Sequence, residues 1–163
     1  MPIFLIGYMG SGKSTIGSQL SKIMNTPFLD LDNLIEKELN MTVSDTFSKK
    51  GELFFRENEQ HYLTHSDYTH NPIVSVGGGT PCFFDNNNFM NSCGVTIYLK
   101  VSYQELFNRL EFSGQRPLLC NNKLNLKEFI KKQLTQREKY YEKSQYIVES
   151  DSITVEQVFE ILK

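Results

Sequence analysis

The stretch Gly7-Tyr8-Met9-Gly10-Ser11-Gly12-Lys13-Ser14 decides how this chain is read. It satisfies the pattern Gly-x-x-x-x-Gly-Lys-Ser/Thr in full and lies between a short apolar run and an amphipathic one. Glycines allow a backbone to wrap closely around phosphate oxygens, while successive amides and a helix start supply positive field. A lysine at position 13 reaches β- and γ-phosphates, and a Ser14 hydroxyl can take a coordination position on Mg²⁺. The expectation is a phosphate-binding loop for ATP or GTP.

Working outward, residues 3–6 are wholly apolar, as a strand buried on both faces requires. Residues 14–24 carry Ile16, Leu20 and Ile23 at helical spacing, and Phe28-Leu29 ends a second strand at Asp30-Leu31-Asp32. Helices are predicted at about 33–39, at 44–49 with Ser44 as N-cap, and at 51–67. A strand at 73–76 stops at Gly77-Gly78-Gly79, and another covers 95–99. Ser102 caps a helix at 103–111, residues 112–124 read as a loop, and 126–141 is helical. A last strand at 146–148 and a helix at 154–163 complete the pattern. Alternating strands and helices imply an α/β fold: a mostly parallel sheet with helices on both faces and ligands at the carboxyl ends of the strands.

Length and composition narrow the class. With 163 residues, 39% apolar and 22% charged, the chain fits one domain spanning 1–163. A net charge of −2 supplies no positive field for nucleic acid or anionic lipid. Three scattered cysteines suit reduced thiols, and the apolar start breaks at Gly7, too early for a signal peptide or membrane span. A cytoplasmic monomer is expected, as no apolar surface stripe demands a partner.

Further residues carry chemistry. Asp30 and Asp32, two apart at a strand end, project the same way. One can hold Mg²⁺ directly or through water and one can accept a proton from an attacking hydroxyl; Asp32 as a mere helix cap is the alternative. The three glycines 77–79 exceed what a turn needs and suit a ligand contact. Arg56, Arg116 and Arg137 offer guanidinium forks for carboxylate or phosphate, and Arg116, in a loop, is placed to act as an arginine finger. His61, His65 and His70 form no recognisable metal motif and read as surface residues.

Taken in order, Gly7 to Thr15, Phe28 to Asp32, Gly51-Glu52 with Phe55-Arg56 and Glu59, Gly77 to Gly79, Arg116-Pro117-Leu118-Leu119, and Arg137 with Tyr140 or Tyr141 resemble the shikimate kinases. The resemblance runs across nearly the whole chain. It implies a three-layer α/β/α P-loop fold around a five-stranded parallel sheet, with a mobile lid at about 111–122 and a substrate-binding segment at about 32–60. The implied reaction moves the γ-phosphate of ATP to the 3-hydroxyl of shikimate, with Mg²⁺, in aromatic amino acid biosynthesis. Implied for the nucleotide are Gly10, Ser11, Gly12, Lys13, Ser14, Thr15, Arg109 against the adenine, and Arg116 on the lid. Ser14 would serve the metal, with Asp30 in its outer shell. Asp32 would orient or deprotonate the nucleophile. Arg56 and Arg137 would clamp the carboxylate, beside the backbone of Gly77, Gly78 and Gly79. Two positions depart from the family's pattern: Glu57 replaces a second arginine, and Ser150 to Thr154 lacks a proline.

Two other readings compete. A gluconate kinase would also take a carboxylate polyol, but Arg-Pro-Leu-Leu and the Arg56/Arg137 pair lean towards shikimate. A catalytically silent nucleotide-binding module would be expected to lack part of the set Lys13, Asp32 and Arg116, all of which are present.

Overall fold

The computed structural model describes residues 1–112 and 123–163. Five strands form one sheet in the order β2-β3-β1-β4-β5, and every pairing is parallel. They are β1 (Ile3–Ile6), β2 (Phe28–Asp30), β3 (Ile73–Ser75), β4 (Val95–Lys100) and β5 (Tyr146–Glu149). Between them run α1 (Lys13–Met24), α2 (Leu31–Leu39), α3 (Val43–Lys50), α4 (Glu52–His65), a 3₁₀ turn (Thr80–Cys82), α5 (Asn86–Cys93), α6 (Tyr103–Phe112), α7 (Lys123–Tyr141) and α8 (Val155–Glu160).

The central strand shows why its sequence is apolar throughout. Side chains alternate across a sheet. Phe4 and Ile6 join a core with Leu31, Ile35, Phe55, Leu63, Leu106 and Ile130 from α2, α4, α6 and α7. Ile3 and Leu5 join the opposite core with Ile16 and Leu20 of α1 and Val155 and Val158 of α8. The result is three layers. Because all strands run the same way, Asp30 at the end of β2 and Gly7, Val76 and Val101 just after β1, β3 and β4 lie along one edge. The neighbours of β1 are β3 and β4, so the chain diverges there, which is the topological position where such sheets bind ligands.

Several boundaries differ from expectation. The N-cap of α3 is Thr42, not Ser44; its hydroxyl accepts from the Asp45 amide at 3.0 Å and donates to the Asp45 carboxylate. Helix α8 ends at Glu160 rather than continuing to 163, though Thr154 caps it in a reciprocal box with Gln157. Helix α5 has an Asn-rich sequence with poor intrinsic propensity and was not anticipated. Tertiary bonds hold it: the Asn86 amide donates to Thr80 O and the Asn87 amide to Tyr140 O.

Candidate active site

The phosphate loop joins β1 to α1. Gly10 (φ 80°) and Gly12 (φ 96°) occupy left-handed backbone, which only glycine enters at no steric cost. Gly12 is the N-cap of α1 and has no side chain to satisfy the first-turn amides, so these remain available to an anion. Ser11 Oγ is buried without a hydrogen-bond partner, a further donor suited to a phosphate oxygen. Lys13 is 9% exposed, and its Nζ donates to the carbonyls of Gly7 and Tyr8, each at 2.9 Å. Burial pulls its pKa down to about 8, against the opposing pull of Asp32 and Asp30. Ser14 donates to Asp30 Oδ2 at 2.6 Å and lies 3.3 Å from the Ser75 hydroxyl.

The two aspartates divide their tasks differently from the sequence alternative. Asp30, not Asp32, is the helix cap: its Oδ1 accepts from the Asn33 amide at 3.2 Å while its other oxygen meets Ser14. Asp32 sits in the first turn of α2. Its pKa is raised to about 6, chiefly by burial and then by Glu59 and Asp30, with Lys13 and Arg56 opposing. A carboxyl so placed accepts a proton near neutral pH.

Arg56 lies on α4, 6% exposed, with Nη1 donating to Glu59 at 2.8 Å and Nε and Nη2 to Glu52 at 3.3 Å. Glu59 is fully buried and also accepts from the Thr80 hydroxyl at 2.5 Å. The glycine run passes between these groups. A Cβ on Gly77 would meet Glu59 Oε1 at 2.7 Å and Asp32 Oδ1 at 2.9 Å, and one on Gly79 would meet the Arg56 guanidinium carbon at 2.6 Å. Two of the three glycines are therefore required by the protein's own side chains. Gly78 is different. A Cβ there would lie 3.4 Å from the Met9 amide nitrogen and 3.5 Å from Arg137 Nη1, between the phosphate loop and α7. Tyr141, fully buried on α7, donates to the Gly78 carbonyl.

The structure thus brings Lys13, Asp30, Asp32, Arg56, Gly77 to Gly79 and Arg137 to one end of the sheet. Arg109, on α6, braces the same edge: it donates to Gly10 O at 3.0 Å, to Asp151 O at 2.6 Å and to Glu105 at 2.8 Å. Arg116, the Arg-Pro-Leu-Leu run and most of the lid at 111–122 lie outside the described residues. Three members carried no role in the sequence reading: Glu59, Thr80 and Tyr141. Glu59 had a legible signal, since it falls three residues after Arg56 and so on the same helix face. His61, His65 and His70 are exposed, with His61 and His65 stacked at 4.4 Å.

A glycine-rich phosphate loop at the carboxyl edge of a parallel sheet, beside a carboxylate and two arginines, defines a P-loop phosphotransferase that works on an anionic acceptor. The family model described as shikimate kinase matches residues 9–163. A shikimate kinase of Bacteroides thetaiotaomicron is 42% identical over 153 residues, 93% of this chain and 87% of that protein. One of Flavobacterium johnsoniae is 42% identical over 159 residues, 95% and 92% of the two chains. Among solved structures, the shikimate kinase of B. thetaiotaomicron superposes with a TM-score of 0.93 at 39% identity, covering 99% of this chain and 98% of that one. A shikimate kinase of Acinetobacter baumannii in complex with shikimate gives 0.88 at 27% identity, covering 99% and 89%. The chain belongs to the shikimate kinase family, a family of ATP-dependent kinases.

Proposed function

We propose that this chain transfers the γ-phosphate of ATP to the 3-hydroxyl of shikimate, yielding shikimate 3-phosphate and ADP. The observation that carries the reading is the place of Gly78, where a Cβ would lie within 3.4 Å of the phosphate loop at Met9 and 3.5 Å of Arg137. The nucleotide end and the cationic acceptor end therefore adjoin, as direct transfer between two bound substrates requires.

Each residue has a task in this reading. The Gly10, Ser11, Gly12 and Thr15 segment, with the Lys13 ammonium, holds the β- and γ-phosphates and neutralises charge on them. Ser14 and Asp30 offer hard oxygen donors that fit Mg²⁺, Ser14 directly and Asp30 through water. The ion, when bound, draws charge from the transferring group. Arg56 and Arg137 hold the acceptor's carboxylate, a task for which planar N–H forks are suited. Asp32 orients the 3-hydroxyl and takes its proton as the new O–P bond forms and the bond to the ADP oxygen breaks. Arg109 flanks the adenine, and Arg116 supplies charge to the transferring group. The chain works in the cytoplasm as a monomer; among the described residues no helix is long and apolar enough to cross a membrane.

An ADP-release assay with ATP and Mg²⁺, run on shikimate and on gluconate, tests the proposal. Turnover on shikimate is expected, and turnover on gluconate alone overturns it.

A further inference from the structure

The segment that follows the glycine run also bears on Arg56. The ring centroid of Phe83 lies 4.3 Å from the guanidinium carbon, nearer than the rings of Phe47 (5.5 Å) or Phe55 (5.3 Å). Phe47 and Phe55 are core residues packed against one another at 4.7 Å. Phe83 belongs to neither core cluster. It is half-buried at the C-cap of the 3₁₀ turn Thr80–Cys82, with extended backbone. The next residue, Phe84, has φ 50°, a left-handed conformation that a bulky side chain rarely adopts, and the residue is 53% exposed. Packing of the Phe84 ring does not account for that backbone. This left-handed residue stands between Phe83, over Arg56, and the start of α5 at Asn86, and strain of this kind persists where the surroundings impose it.

A guanidinium has five N–H donors. In Arg56, Nε, Nη1 and Nη2 each donate to Glu52 or Glu59, which leaves two N–H groups for a ligand. Whether those two act as a fork depends on the plane of the group, and a ring stacked on a guanidinium fixes that plane.

We infer that Phe83 is a positioning residue for the acceptor: its ring, held inward by the left-handed turn at Phe84, sets the plane in which Arg56 presents its two remaining N–H groups to a carboxylate. The inference rests on the assignment of Arg56 to the acceptor carboxylate made above. It is tested by steady-state kinetics on Phe83→Leu, Arg56→Ala and the double variant, with melting curves for each. Phe83→Leu raises the KM for shikimate about tenfold and leaves kcat and the KM for ATP within about twofold. In the Arg56→Ala background the same substitution adds no more than about twofold, because the ring acts through the arginine. Phe83→Tyr, which keeps the ring face, retains the parent KM. If Phe83→Leu fails to fold, Phe83→Met carries the same expectation.

An unchanged KM in Phe83→Leu alongside a raised one in Arg56→Ala overturns the role of Phe83 and leaves the clamp standing. An unchanged KM in Arg56→Ala overturns the clamp itself, and this inference with it. A Phe83 effect of equal size with and without Arg56 also overturns the inference, since the ring would then act through general packing.

Discussion

The two halves of the site are built on different principles. The half proposed to bind the nucleotide is contiguous: residues 7 to 15 lie on one turn and helix after β1, where Gly10 and Gly12 leave backbone amides available to an anion. The half proposed to bind the acceptor is assembled from Asp32, Arg56, Gly77 to Gly79 and Arg137, which come from four separate stretches of chain. It is held by side chains, above all the buried Arg56–Glu59 pair and the hydroxyl of Thr80. A backbone cradle is specified by local conformation. A side-chain clamp holds only while every partner is present, so it is the half more easily broken at a distance.

Substitutions sharpen that contrast. The largest effect is expected at Lys13→Ala, which removes the ammonium proposed to neutralise the transferring group: kcat falls about a thousandfold while the melting temperature changes little. Rates paired with calorimetry check this; a tenfold loss or less would separate Lys13 from the chemistry.

Glu59→Gln should act at a distance. It leaves Arg56 buried with only the half-exposed Glu52, at a cost of about 3 kcal/mol, or a melting temperature lower by roughly 6–12 °C. The KM for shikimate should rise as well, and a KM for ATP that moved equally would deny the separation of the halves. Arg137→Ala should mainly raise the KM for shikimate, about tenfold to a hundredfold, with the KM for ATP steady. An unchanged KM for shikimate would remove it from the clamp.

The aspartate between the halves gives a pH signature. With a pKa raised to about 6, Asp32 is ionised above that value, so kcat/KM for shikimate should fall about tenfold per pH unit below it. Stability runs the other way. A carboxyl whose folded pKa exceeds its unfolded value favours the fold below about 4 and loses that contribution as pH rises through 6. Asp32→Asn should therefore lower kcat about a hundredfold yet raise the melting temperature at pH 8, by roughly 2–4 °C for about 1 kcal/mol. The smallest effect belongs outside both halves: Lys49→Ala, which breaks an exposed pair with Asp45, should change stability by less than about 0.5 kcal/mol.

The same contrast governs what could be read in advance. The P-loop, the strand carboxyl ends and the layer architecture all rest on local pattern, and the structure reproduces them. Helix α5 was missed because its stability resides in Asn86 and Asn87 bonding to Thr80 and Tyr140, partners six and fifty-three residues away. The pattern points to Ser44 as the cap of α3, whereas the structure uses Thr42; both residue types cap well, and the chain's path into α3 chooses between them. For Asp32 the cap alternative stayed open; the structure gives that task to Asp30, whose second oxygen also meets Ser14.

By itself the sequence determined the phosphate cradle, the alternating strand-helix order and the types of residue available for an anionic acceptor. Those depend on spacing along the chain, which is present before folding. Only the tertiary structure decided that Gly77 and Gly79 are glycines because Glu59 and Arg56 press against them, and that Asp32 is pushed to about 6. Burial and close charge are properties of packed neighbours, and the neighbours of Asp32 come together only when α4 and the turn after β3 close over the end of the sheet.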